Sequence, residues 1–164
     1  MKNLFRHLHS IHGALFTYIA FLKSPFLLFV RLYWGLQLMR NGWAKLHNLQ
    51  NVTEFFTSLH LPAPAATAAF ISGLEFFGGI LLATGLFSRI ISLMLTVNLI
   101  VAYITADSEA LHAIFSDPNK FMAADPFTFL MASLIVLIFG PGFFSLDTIF
   151  TRALGWSRSS SPAG

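Results

Sequence analysis

Between Pro25 and Gly142 the chain is a succession of four apolar segments joined by short polar connections. A hydrocarbon core about 30 Å thick takes about 20 helical residues. Backbone polar groups have no water to bond there, so segments of this kind fold as helices. Only 10% of the 164 residues are charged, against about 25% in an average soluble domain. That leaves too little polar surface for a soluble fold of this size. The expected architecture is all-α: an integral membrane four-helix bundle preceded by an N-terminal amphipathic helix.

The first span is expected to open at Pro25, a residue suited to the first turn of a helix, and to run through FLLFVRLYWGLQLMRNGWAKL. The second covers Pro64 to Thr84, and the third runs from Arg89 through IISLMLTVNLIVAYIT. The fourth starts at Asp125-Pro126, read as N-cap and N1, and stops at Gly140-Pro141-Gly142. Its fourteen residues reach only about 21 Å, so FMAA before it or FFSLDTIF after it is left to supply the missing length.

Three units follow from this pattern: 1–22, 23–150 and 151–164. In the first, Leu4, Leu8, Ile11, Leu15 and Tyr18 recur at helical spacing, with Lys2, Arg6, His7 and His9 largely off that stripe, as in a helix lying on a membrane surface. A basic start followed by ALFTYIAFL also mimics a signal peptide, but no small-x-small cleavage site follows. The third unit, ending RSSSPAG, reads as a disordered cytoplasmic tail. With the N-terminus cytoplasmic, Lys2, Arg6, Lys23, Arg89, Arg152 and Arg158 fall inside, and only Lys45 and Lys120 lie in the outer loops. That asymmetry places both termini in the cytoplasm.

The spans are not purely apolar. Glu75 sits within ISGLEFFGGILLATGL, where a charge raises the insertion free energy by about 2.5–3.5 kcal/mol. It therefore needs a partner or a cavity. At about 100° per residue, Arg31, Trp34, Gln37, Asn41 and Lys45 share one face of the first span, about 120° wide. Ala68, Ser72, Glu75, Gly78 and Gly79 share a small-residue face of the second, which permits close helix approach. Counted from Pro25, Arg31 is about 9 Å into the membrane, and Glu75 and Asn98 are each about 13 Å from the cytoplasmic ends of their helices. Arg31 is thus the expected partner of Glu75, with Asn98 beside them. Such a cluster serves either as a clamp on helix register or as a polar pocket for an amphipathic ligand such as a quinone headgroup, or for a proton.

Other chemistries find less support. The chain has no cysteine, which excludes disulfides, thiolate-held clusters and dithiol relays. The histidines, His7, His9, His12, His47, His60 and His112, all lie outside the spans, so no metal or haem site is expected. The net charge of +3 is scattered, with no basic-aromatic face for nucleic acid. Trp43 suits an interfacial belt, while Trp34 lies deeper on the polar face.

Arg31, Gly35, Gly42 and Lys45 in the first span, a Phe-containing segment leading to LPAP, LEFFGGILLATGLFSR closing the second helix, and GPGFFSLD resemble the DoxX family of small bacterial membrane proteins. The likeness covers about residues 26–148. It implies a four-helix membrane bundle related to the DoxD-type subunit associated with thiosulfate:quinone oxidoreductase, in a family with members in membrane oxidoreductase complexes that handle thiols and oxidative stress. Arg31, Gly42, Lys45, Glu75, Gly78, Gly79 and Arg89 match the pattern. Asn41 stands where a His often precedes the Gly, and Thr128 where a Glu often opens the fourth helix.

The functional expectation is an accessory or quinone-interacting subunit with no intrinsic cofactor. Its expected partners are membrane lipid and an oxidoreductase subunit, with self-association open. A small-solute carrier and a ligand-free structural or assembly protein are the alternatives. The expected polar site comprises Arg31, Trp34, Gln37, Asn41, Lys45, Glu75 and Asn98.

Overall fold

The computed structural model describes residues 2–153, and the side chains of 21–151 and 153. Every regular element among them is a helix: α1 (Lys2–His47), α2 (Leu49–Ser58), α3 (Pro64–Thr84), α4 (Ser88–Thr105), α5 (Ser108–His112), α6 (Pro118–Ala123), α7 (Pro126–Phe139) and α8 (Leu146–Ala153). The second and third spans therefore lie where their apolar runs place them. Both are long and apolar enough to cross a membrane, and α7 is a shorter helix of the same character.

Pro25 does not open a helix. It lies inside α1, which is continuous from Lys2 to His47. A proline removes one backbone donor, and a long helix survives that loss when its other turns stay bonded. The apolar stripe expected within 1–22 falls on side chains outside the described residues. At the other end α8 continues to Ala153, past the expected start of the tail at 151, and residues from 154 lie outside the description.

The fourth apolar segment keeps its fourteen residues. Neither flank joins it: FMA belongs to α6 and LDTIF to α8, each a separate short helix. Asp125 has helical backbone angles and makes no side-chain cap bond, so Pro126 alone marks the start as expected. The α4–α7 connection folds down onto the bundle. Tyr103 donates to the Phe121 carbonyl at 2.9 Å and its ring stacks on Phe121 at 4.9 Å, above a cluster of Leu99, Tyr103, Ala110 and Leu130.

Helices α1 and α3 pack along each other, α3 meets α4, α4 packs on α7, and α7 returns to α1. The exposed surface of the helices is largely apolar, unlike that of a water-soluble fold. On α4 the exposed stripe is Ile90, Leu93, Met94, Val97, Ile100, Val101 and Ile104, whereas the buried stripe sets Ser88, Ser92 and Thr96 among Ile91, Leu95, Leu99 and Tyr103. Small hydroxyl residues let α4 come close to its neighbours, while an exposed face of branched aliphatics suits lipid.

The α1–α3 seam is the tightest. A Cβ added at Gly35 would stand 2.8 Å from the Gly79 carbonyl oxygen, one at Gly42 would overlap the Phe76 backbone, and one at Gly79 would overlap the Met39 backbone. Gly78, on the other side of α3, meets Leu95 and Ile91 of α4 at ordinary contact distance. Gly79→Ala is therefore expected to destabilise the protein by about 1–3 kcal/mol through overpacking. Gly73→Ala, on the same helix with open space around it, is expected to be neutral or stabilising by up to about 1 kcal/mol. Thermal unfolding in detergent compares the two, and equal effects would contradict the close seam.

Candidate functional site

The α1–α3 contacts define an antiparallel register: Gly35 lies against Gly79 and Ala83, and Gly42 against Glu75 and Phe76. Lys45 is one turn beyond Gly42 and comes down on Glu75, with Nζ 2.6 Å from Oε1. The Lys45 side chain is 38% exposed and that of Glu75 only 8%. The ammonium thus bridges from the accessible end of the bundle to a buried carboxylate. The second carboxylate oxygen, Oε2, is buried without a hydrogen-bond partner among the described residues.

Arg31 does not meet Glu75. It lies one turn before Gly35, at the level of Gly85, where an added Cβ would overlap its guanidinium. Gly85 is ten residues from Glu75 along α3, about 15 Å. The expectation failed because it measured Arg31 from Pro25, whereas the helix contacts, and not the proline, set how far α1 slides along α3.

Arg31 instead anchors the other end of the bundle. Its Nη2 donates to the Phe144 carbonyl and its Nε to the Leu27 carbonyl at 3.4 Å, in a position with no solvent exposure. Beside it, Gly85 holds the left-handed backbone of the α3–α4 turn (φ 74°) and donates to the Leu81 and Leu82 carbonyls. Glycine adopts that conformation without steric cost. Phe87 and Ser88, at the start of α4, donate backbone N–H groups to the two oxygens of Asp147 at 2.8 and 2.9 Å. An acidic group there satisfies orphan donors and the helix dipole together. The GPGFFSLD turn is thus a lock that joins α1, α4 and α8.

At the Lys45 end lies a cavity of about 640 Å³. Gln37, Asn41 and Lys45 of α1, Glu75 of α3 and Asn98 of α4 contribute its polar lining, so five of the seven expected site residues converge. Arg31 and Trp34 are not among the lining residues. Trp34 packs edge-on against Phe29 and Tyr33, at 6.3 and 4.9 Å between ring centres, and against the apolar core. It shares an angular sector with Gln37 and Asn41 but lies nearer the Arg31 end of the helix.

The apolar wall comes from Phe55 and Phe56 of α2, Leu59 at its C-cap, Leu61, Ile71, Leu99 and Phe129. Asp107 and Asp125 stand at the rim with Thr105. Burial, with the Asp125 charge adding to it, raises the Asp107 carboxyl above its ordinary value. The α2 contribution and the acidic rim were not expected. The sequence did carry a signal for the first: LQNVTEFF alternates apolar and polar residues at helical spacing in what reads as an outer loop. Among the described residues no group of three or more His, Asp or Glu is placed to hold a metal ion. The geometry suits binding: an amphipathic molecule can set its polar head on the amides and the ion pair and its apolar part on the α2 aromatics.

Removing one partner of a buried pair leaves the other charge unmet, so interaction energies separate the two arginine and lysine assignments. A double-mutant cycle between Lys45→Met and Glu75→Gln is expected to show coupling of about 1 kcal/mol or more, held down by the exposure of Lys45. The Arg31→Met and Glu75→Gln cycle is expected to be additive within about 0.5 kcal/mol. Equilibrium unfolding in mixed micelles measures both, and strong Arg31–Glu75 coupling would overturn this assignment.

A family model described as DoxX matches residues 26–108. "Putative oxidoreductase CatD" of Bacillus subtilis (strain 168) is 28% identical over 120 residues, covering 73% of this chain and 83% of that protein. No solved structure matches. The matched segment holds the glycine seam, the Lys45–Glu75 pair and most of the cavity wall, and the chain belongs to the DoxX family.

Proposed function

We propose that this protein is a quinone-binding accessory subunit of a membrane oxidoreductase, with the redox cofactor carried by a partner subunit. In this reading α1, α3, α4 and α7 all cross a bacterial inner membrane, with both termini cytoplasmic. The short α7 crosses with α6 and α8 at the two surfaces. The basic residues favour that orientation, which sets the cavity toward the outer face.

The observation that carries the reading is the cavity itself. It places four polar or charged groups from three helices, Asn41, Lys45, Glu75 and Asn98, opposite a wall of aromatic and aliphatic side chains. A quinone headgroup has carbonyl oxygens on a planar ring with an apolar substituent, and each part has a matching surface. A tightly packed core, as a purely structural protein would show, has no such space. The similarity to a protein named as an oxidoreductase is consistent with the class of reaction. The chain has no cysteine for a thiolate relay, and in this reading the partner carries the electrons.

Purification in mild detergent, followed by mass spectrometry of extracted lipids and of co-purifying proteins, tests the proposal. Quinone is expected well above the level in an unrelated membrane protein prepared from the same cells. Asn41→Leu combined with Asn98→Leu is expected to lower that retention about tenfold, the effect of losing one to two hydrogen bonds. Recovery of neither a quinone nor an oxidoreductase subunit would remove the support for this function.

A further inference from the structure

We infer that the cavity selects the reduced, hydroxyl-bearing form of its ligand, a hydroquinone over the corresponding quinone. This rests on the quinone-binding reading and specifies which form the protein holds. The Glu75 side chain lines the cavity, with the residue only 6% exposed. Lys45 occupies Oε1, and Oε2 is buried with no hydrogen-bond donor among the described residues. A carboxylate in such an ion pair accepts hydrogen bonds and donates none. An unmet buried acceptor is costly, more so when charged.

The amides and the ammonium do not discriminate. Gln37, Asn41 and Asn98 carry amides that donate or accept by turning over, so they serve a carbonyl and a hydroxyl alike. The Lys45 ammonium donates equally to either kind of oxygen. Beside the ammonium, Oε2 distinguishes them, while the carboxylates of Asp107 and Asp125 stand at the rim. A hydroxyl can accept from Lys45 and donate to Glu75 through the same oxygen, whereas a carbonyl set there opposes lone pairs to lone pairs. The pair is thus complementary to an O–H group, and the ligand supplies the donor that the protein lacks.

Equilibrium binding to the full-length protein in nanodiscs, under anaerobic conditions without an electron acceptor, tests this with three probes. They are a decyl-substituted benzoquinone, its hydroquinone and the hydroquinone dimethyl ether, each corrected for partition into empty nanodiscs. The hydroquinone is expected to bind about tenfold more tightly than either of the others. In Glu75→Gln, whose amide can donate, the ratio of hydroquinone to quinone affinity is expected to fall to within about twofold. Quinone or dimethyl ether binding to the wild type as tightly as the hydroquinone would overturn the inference and leave the quinone-binding function standing. Absence of binding by all three would overturn both. The wild-type series decides the matter even where the substituted protein does not fold.

Discussion

The contact between the backbones of α1 and α3 governs the rest of the molecule. Gly35, Gly42 and Gly79 remove side chains from the seam, so the two helices approach until backbone meets backbone. Contact that close permits few registers, because sliding by one residue would drive a neighbouring side chain into the opposing helix. In lipid, where apolar surface gains little by leaving its surroundings, such packing is a principal source of helix affinity. The register then decides which cation of α1 reaches Glu75, and it decides in favour of Lys45.

Two polar centres result, one toward each end of the α1–α3 pair. At one, Arg31, Gly85 and Asp147 tie the α3–α4 turn to the segment between α7 and α8, with carbonyls and helix-terminal N–H groups as partners. Its donors and acceptors are largely taken up within the protein, which suits a structural lock. At the other, the Lys45–Glu75 pair opens into a cavity with one carboxylate oxygen left over. Buried charge in a membrane is tolerable in either setting; Arg31 keeps Nη1 unpartnered inside the packed lock, whereas the unpartnered oxygen of Glu75 belongs to a residue that lines a cavity.

Much of this was legible before the fold. The spans of α3 and α7 follow their apolar runs, α4 begins one residue before the expected Arg89, and Gln37, Asn41, Lys45, Glu75 and Asn98 converge. Angular position around a helix is readable because 3.6-residue periodicity is local. Axial position is not, because it depends on how far one helix slides along another. Arg31 and Trp34 share the correct face of α1 but lie at the wrong height, and both left the expected site for that reason. Pro25 misled in the same way, as a local helix-start signal overridden by turns that stay bonded on either side. Asp147 reaches the start of α4 across 60 residues of sequence, a distance over which no periodic pattern carries information.

By itself, the sequence determined that the chain is helical and apolar enough for a membrane, that one face of α1 and one face of α3 are polar or small, and that Glu75 requires a partner. These properties belong to single residues and single helices, where hydropathy and backbone geometry act within a few turns. Only the tertiary structure decided that the partner is Lys45, that α2 supplies the apolar wall of the cavity, and that Arg31 belongs to a separate lock. Those outcomes depend on the closest approach of two glycine-lined backbones, a steric fit between segments distant in sequence.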